Sequence, residues 1–151
     1  MRLMPILVAT TILGACSRPI PARIEVQDAS AGASAPGQTQ AAAYLTLRND
    51  GGRDDRLRAI KIEGVESATV HETSMTDGVM RMRPVDTLDI PAGATVAMSP
   101  GGLHVMLTGL EKPLRKGDKL RATLSFQASP PLKASIMVMS SGNLEASHGG
   151  P

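Results

Sequence analysis

The chain has 151 residues, Lys+Arg 16 and Asp+Glu 14 for a net charge of +2, one Cys, three His, nine Met, one Tyr and one Phe. That length suits one domain, and so small a surplus of mixed charge gives no basic surface for nucleic acid. A single cysteine excludes an intrachain disulfide framework, a Cys-x-x-Cys redox site and a cysteine zinc cluster.

In chain order, the first segment is MRLMPILVATTILGAC. One basic residue, Arg2, precedes an apolar run from Leu3 to Leu13, and small Gly14 and Ala15 follow. This is the layout of a secretory signal peptide, shorter than the roughly 20 apolar residues a spanning helix needs. Leu13-Gly14-Ala15-Cys16 resembles the bacterial lipobox. The resemblance implies that residues 1–15 are a lipoprotein signal peptide and that Cys16 is lipidated and becomes the mature N-terminus. The alternative is an ordinary signal peptide cut nearby, with Cys16 left as a thiol. Acyl chains hold a protein to a membrane by about 0.8 kcal/mol per buried CH₂. Ser17, rather than Asp, after the cysteine implies by resemblance the outer membrane of a Gram-negative cell. A mature chain without a free thiol suits an oxidising compartment such as the periplasm.

Residues 16–21 read as a tether, 22–139 as the folded domain and 140–151 as a Gly- and Ser-containing flexible tail. Short alternating runs predict strands at Ala22–Gln27, Ala42–Arg48, Leu57–Glu63, Ser67–Thr73, Val79–Val85, Thr95–Met98, Leu103–Leu107, Lys119–Gln127 and Lys133–Met139. Turn residues separate them: Asn49-Asp50-Gly51-Gly52, Asp77-Gly78, Pro91-Ala92-Gly93, Pro100-Gly101-Gly102 and Lys116-Gly117-Asp118. Ala29–Gln40, small and polar, reads as a loop. No amphipathic helix is evident, and the pattern predicts an all-β antiparallel sandwich or barrel. Its core would be aliphatic, with Tyr44 and Phe126 as the only large rings. Met98, Met137 and Met139 are expected in that core, since Met fills gaps between aliphatic side chains.

The chemically distinctive residues fall between His71 and Met106. His104 and Met106 are two apart on a predicted strand and share a face, with Val105 turned toward the core. Met80 and Met82 form a second such pair. His71 ends another strand, with Met75 in the loop beyond. Imidazole with thioethers is a soft ligand set that favours Cu(I). Zinc prefers thiolate, imidazole and carboxylate, and calcium and magnesium prefer oxygen ligands in patterns the chain lacks.

The spacing H-x10-M-x21-H-x-M, from His71 through Met82 to His104 and Met106, resembles the periplasmic copper chaperone family PCu(A)C. Val70-His71-Glu72, Gly78-Val79-Met80-Arg81-Met82, Ile90-Pro91-Ala92-Gly93 and Pro100-Gly101-Gly102-Leu103-His104-Val105-Met106-Leu107 also look like that family. More loosely, the likeness runs from about Ala41 to Phe126. It implies a cupredoxin-like antiparallel β-sandwich (Greek key) and a shallow Cu(I) site formed by His71, Met82, His104 and Met106. It further implies delivery of copper toward the CuA centre of cytochrome c oxidase, with the oxidase copper-site subunit or a Sco-type thiol protein as partner. The chain departs from the family in Glu72, where some members have Met, in Ala29-Ser30, where members often carry a Trp, and in its lipid anchor. Met75 and Met80 fall outside the motif spacing, and each is expected to be either a neighbouring hydrophobe or an accessory thioether contact. His148 in the tail is expected to be solvated, or to bind Cu(II) as C-terminal extensions of some members do.

No G-x-S-x-G elbow, phosphate-cradling Gly loop or HExxH pair is present, so no enzyme is expected. A blue-copper electron carrier needs a cysteine ligand that the mature domain lacks. The expectation is therefore a monomeric, membrane-anchored copper chaperone. Two alternatives stand beside it: a copper uptake, storage or tolerance protein with the same His/Met site, and a non-metal envelope domain that binds a protein partner.

Overall fold

The computed structural model describes residues 20–140. The expected signal peptide, the expected lipidation at Cys16, residues 16–19 of the expected tether and residues 141–151 of the expected tail, with His148, lie outside the described residues. Ten strands and no helix make up the described part. They are β1 (Ile24–Gly32), β2 (Gln40–Asn49), β3 (Asp55–Ile62), β4 (Val65–Thr76), β5 (Val79–Pro84), β6 (Leu88–Ile90), β7 (Thr95–Ala97), β8 (Leu103–Leu110), β9 (Lys119–Phe126) and β10 (Leu132–Met139).

Each strand is built by alternation. On β2, Ala43, Leu45 and Leu47 are fully buried; on β8, Val105 and Leu107; on β9, Ala122 and Leu124; on β10, Ile136 and Val138. These residues meet in one aliphatic core with Ile60, Ile62, Ile90 and Met98, and Tyr44 and Phe126 are its two rings. The strands form one sheet in the order β5-β4-β8-β2-β1-β10-β9-β3-β6, with β7 also paired to β2. β3 and β4 are nearly at opposite ends of that order, yet the tight Glu63-Gly64 turn joins them and they touch. The sheet therefore folds over on itself, which gives the sandwich and puts one face of most strands inside, while β5 stays exposed along its whole length.

Three local expectations are corrected. The sheet is mixed, because β1 and β10 pair in parallel, Ser30 with Met137 and Gly32 with Met139. No hairpin joins these two terminal strands, so nothing forces them antiparallel. Second, β1 continues through Ala29–Gly32, which reads as loop in the sequence, and the true loop is 33–39. Ser30 and Ala31 have little strand propensity but are buried between β2 and β10, where small side chains fit and packing overrides propensity. Third, Met137 is exposed and Met139 only half-buried; Ile136 and Val138 are the residues of β10 that point into the core. Strand β6 is an addition. Three residues are too few to show a period, but Leu88 and Ile90 point inward while Asp89 pairs outside with Arg56 at 2.6 Å.

Two buried polar residues fasten the end of the sandwich. Asn49 donates from Nδ2 to the carbonyls of Arg53 (2.8 Å) and Ile90 (3.0 Å), and its Oδ1 accepts from the N–H groups of Gly51 (3.0 Å) and Arg23 (3.1 Å). All four hydrogen-bonding capacities of the amide are thus used. Asp55 accepts N–H bonds from Arg56 at 2.7 Å, Ala128 at 2.9 Å and Ser129 at 2.9 Å. Burial pushes its carboxyl upward, but the Ser129 side chain and these backbone donors outweigh that and hold it below its ordinary value of 3.8.

Candidate metal centre

The site residues come from three adjacent strands, β5, β4 and β8. Asp77 and Gly78 both have positive φ (51° and 75°) and lie between the paired residues Thr76 and Val79. This is the two-residue turn that matches the natural twist of a hairpin. It fixes the register of β5 on β4: Met75 opposite Met80, Thr73 opposite Met82, His71 opposite Pro84. On the other side β8 pairs with β4, placing His71 opposite His104 and Thr69 opposite Met106.

Residues opposite each other in an antiparallel pair project to the same face, and i and i+2 share a face. His71, Met75, Met80, Met82, His104 and Met106 therefore all stand on one face of β5-β4-β8. Val70 and Val105 project to the other face, into the core. Every charged residue of the three strands also projects to that other face, including Glu72 and Arg83, which pair at 2.6 Å. What remains is a face without carboxylate, Lys or Arg, carrying two imidazoles and four thioethers.

The two imidazoles are stacked, with ring centroids 6.0 Å apart and planes inclined by 23°. His104 is only 6% exposed, whereas His71 and Met106 are half-buried and Met82 is 49% exposed. Nδ1 of His104 lies 3.1 Å from the carbonyl oxygen of Gly102. A carbonyl only accepts, so Nδ1 carries the proton and Nε2 keeps its lone pair for a metal or another donor. Nδ1 of His71 faces the carbonyl of Thr69 at 3.3 Å and its hydroxyl at 3.4 Å. Both rings are thus turned by their own strand or the adjoining loop.

All four residues of the sequence motif stand on this face, and so do Met75 and Met80; His71 and His104 are in ring contact. One placement is corrected: Met75 is not in a loop but on β4, because the two-residue turn leaves the strand running to Thr76. The Gly102 and Thr69 carbonyls are absent from the sequence reading. Backbone acceptors carry no residue signature, and only the Gly-rich Pro100-Gly101-Gly102 turn before β8 hints at one. Among the described residues no three of His, Cys, Asp and Glu gather in one place. A cleft of about 670 Å³ lined by Glu63, Glu111, Leu114 and Arg121 contains none of the His/Met set. The face is open, which suits an ion that arrives and leaves by ligand exchange.

A family model described as "Putative lipoprotein LpqE-like" matches residues 24–138. The chain belongs to the LpqE-like family. Among curated proteins, this LpqE-like chain is 34% identical over 102 residues to "Putative lipoprotein Lxx21020" of Leifsonia xyli subsp. xyli. The match covers 67% of the present chain and 61% of that relative, so the chain spans less than two thirds of the relative's length. Among solved structures, the copper-bound PCuAC domain from PmoF2 superposes with a TM-score of 0.67 at 25% identity, covering 80% of this chain and 95% of that domain. The Cu(I) form of DR1885 from Deinococcus radiodurans superposes with a TM-score of 0.60 at 30% identity, covering 84% of each chain. The LpqE-like fold is thus that of the PCuAC domains, a cupredoxin-like sandwich.

Proposed function

We propose that this protein is an extracytoplasmic Cu(I) chaperone in which His71, Met82, His104 and Met106 hold the ion. The observation that carries the reading is the direct opposition of His71 and His104 on neighbouring strands, with Met82 and Met106 on the same face, which is without carboxylate, Lys or Arg. Two imidazoles supply the stronger donors, and the thioethers set the preference for the reduced ion. Support also comes from the copper-bound PmoF2 domain and the Cu(I) form of DR1885, whose fold the chain shares. The role is carriage rather than catalysis: copper is cargo, taken up and surrendered one ligand at a time.

The finer reading is a monomeric lipoprotein, anchored through Cys16 to an envelope membrane, the outer one in a Gram-negative cell, and facing the periplasm. Its cargo goes toward the CuA centre of cytochrome c oxidase, through the oxidase copper-site subunit or a Sco-type thiol protein. His148 in the tail adds a Cu(II) ligand. The lipoprotein description of the family and of the Leifsonia relative supports the anchor.

Titrating the full-length chain with Cu(I) under reducing conditions, against a chromophoric chelator, tests the site. One tightly held copper with mixed nitrogen and sulfur scattering in X-ray absorption is expected at one equivalent. Failure to retain copper, or scattering from oxygen and nitrogen alone, would overturn the assignment. Deleting the gene tests the recipient: an oxidase defect rescued by added copper is expected, and normal oxidase with altered copper tolerance would point to storage instead.

A further inference from the structure

Among the described residues the exposed large apolar side chains are Ile20, Met75, Val79, Met80, Met82 and Met137. Four of these six belong to the single hairpin β4–β5. Met75 and Met80 are each 65% exposed, more than Met82, and they face each other across the strands at the hairpin tip. Exposed apolar residues on a hairpin tip contribute nothing to a core, and a solvated turn is ordinarily polar. Their placement therefore calls for a use outside the core.

We propose that Met75 and Met80 form a second, labile Cu(I) site, through which the ion passes to and from the His71/Met82/His104/Met106 centre. The proposal rests on the reading of that centre given above. Hydrogen-bonded and non-hydrogen-bonded pairs alternate along a hairpin. Thr76 and Val79 flank the two-residue turn as its hydrogen-bonded pair, so Met75–Met80 is the non-hydrogen-bonded kind, in which side chains lie closer. Two thioethers so paired, each on a flexible stem, converge on one soft ion. Arg81 and Arg83 project to the opposite face, so no side-chain cation of the hairpin repels Cu(I) from the thioethers.

Position and strength together give the site its direction. Met80 is two residues from Met82 on the same face, about 7 Å along the strand. An ion on Met75/Met80 reaches the deeper centre by exchanging one thioether for the next, without release into water. A pair of thioethers lacks the imidazoles of the inner set and binds more weakly, so it fills second and empties first. The buried His104 side of the centre is the hardest to reach from solvent, and the hairpin tip is the easiest.

The test uses the full-length chain with ¹³C-labelled methionine methyls and Cu(I) under reducing conditions. The first equivalent is expected to move the methyls of Met82 and Met106, and the second those of Met75 and Met80. In the double variant Met75→Leu/Met80→Leu, which keeps size and apolar character at exposed positions, first-equivalent affinity is expected to stay within about twofold. Transfer of copper to a chromophoric chelator should slow about tenfold in that variant, a change of roughly 1.4 kcal/mol in barrier. Tight retention of one copper with unmoved Met75 and Met80 methyls at two equivalents, or with unchanged transfer in the double variant, would overturn the relay and leave the inner centre standing. A wild-type chain that retains no copper would overturn both.

Discussion

His104 is both a nearly buried residue of the fold and a proposed ligand. Its Nδ1 is held by the Gly102 carbonyl, so in the proposed site the other ring nitrogen would be oriented before any ion arrives. Replacing it with Ala removes that hydrogen bond and leaves the carbonyl to water, a loss of about 1 kcal/mol in stability. Loss of an outer-shell partner costs roughly 10–100-fold in metal affinity, and loss of a ligand should exceed that. His104→Ala is therefore expected to keep its circular dichroism spectrum while Cu(I) affinity falls by more than about 100-fold, as measured by chelator competition. Asp55 is the counterpart without a part in the site. Its carboxyl is held below the ordinary value by Ser129, Ala128 and Arg56, so its stabilisation is fully present above the ordinary range. That stabilisation is lost as pH falls through the lowered value, when the folded carboxylate takes up its proton. Asp55→Asn should lower stability at neutral pH by about 1–2 kcal/mol, because a neutral acceptor replaces a charged one. It should also flatten the acid limb of a denaturation series as pH falls below the ordinary carboxylate range, and an unchanged acid limb would refute this account of Asp55.

The hairpin β4–β5 is the element on which the site depends most. Its register rests on Asp77 and Gly78, both in the left-handed region, and Gly78 at φ 75° is where a branched side chain is least tolerated. Gly78→Val is expected to fray the hairpin, raising amide exchange from Thr73 to Met82 while the β9 and β10 amides stay protected. Copper affinity should fall with it, since Met82 loses its fixed place opposite Thr73. This element also marks how far the sequence could be read. Asp77-Gly78, the Met80/Met82 alternation and the His104/Met106 spacing are local patterns, and each was legible. The four proposed ligands could be picked out because their offsets are those of the motif they resemble. That Met75 belongs to a strand was not legible, since Ser74-Met75-Thr76 reads as loop until the turn is known to be two residues long. Nor was the strand character of Ala29–Gly32, which comes from neighbours 12 to more than 100 residues away rather than from its own side chains. The parallel pairing of β1 with β10 is likewise a long-range fact with no local sign.

For the whole molecule, the core and the proposed metal site occupy opposite faces of the same sheet. The aliphatic interior closes without any contribution from the His/Met set. The copper-free chain is therefore expected to unfold cooperatively in a thermal scan, unlike small domains that fold only around their metal. Copper should then raise the melting temperature by mass action, adding about 2.7 kcal/mol when free Cu(I) stands at 100 times the dissociation constant. A chain that is unfolded without copper would contradict this separation of faces. Strand parity gives the separation a consequence for how the sequence can vary. Along Leu103–Leu107 the odd positions Val105 and Leu107 belong to the core, and the even positions His104 and Met106 belong to the proposed metal site. A lineage can thus drift in one register while selection holds the other. Two histories, one of folding and one of chemistry, are written in alternate letters of a single strand.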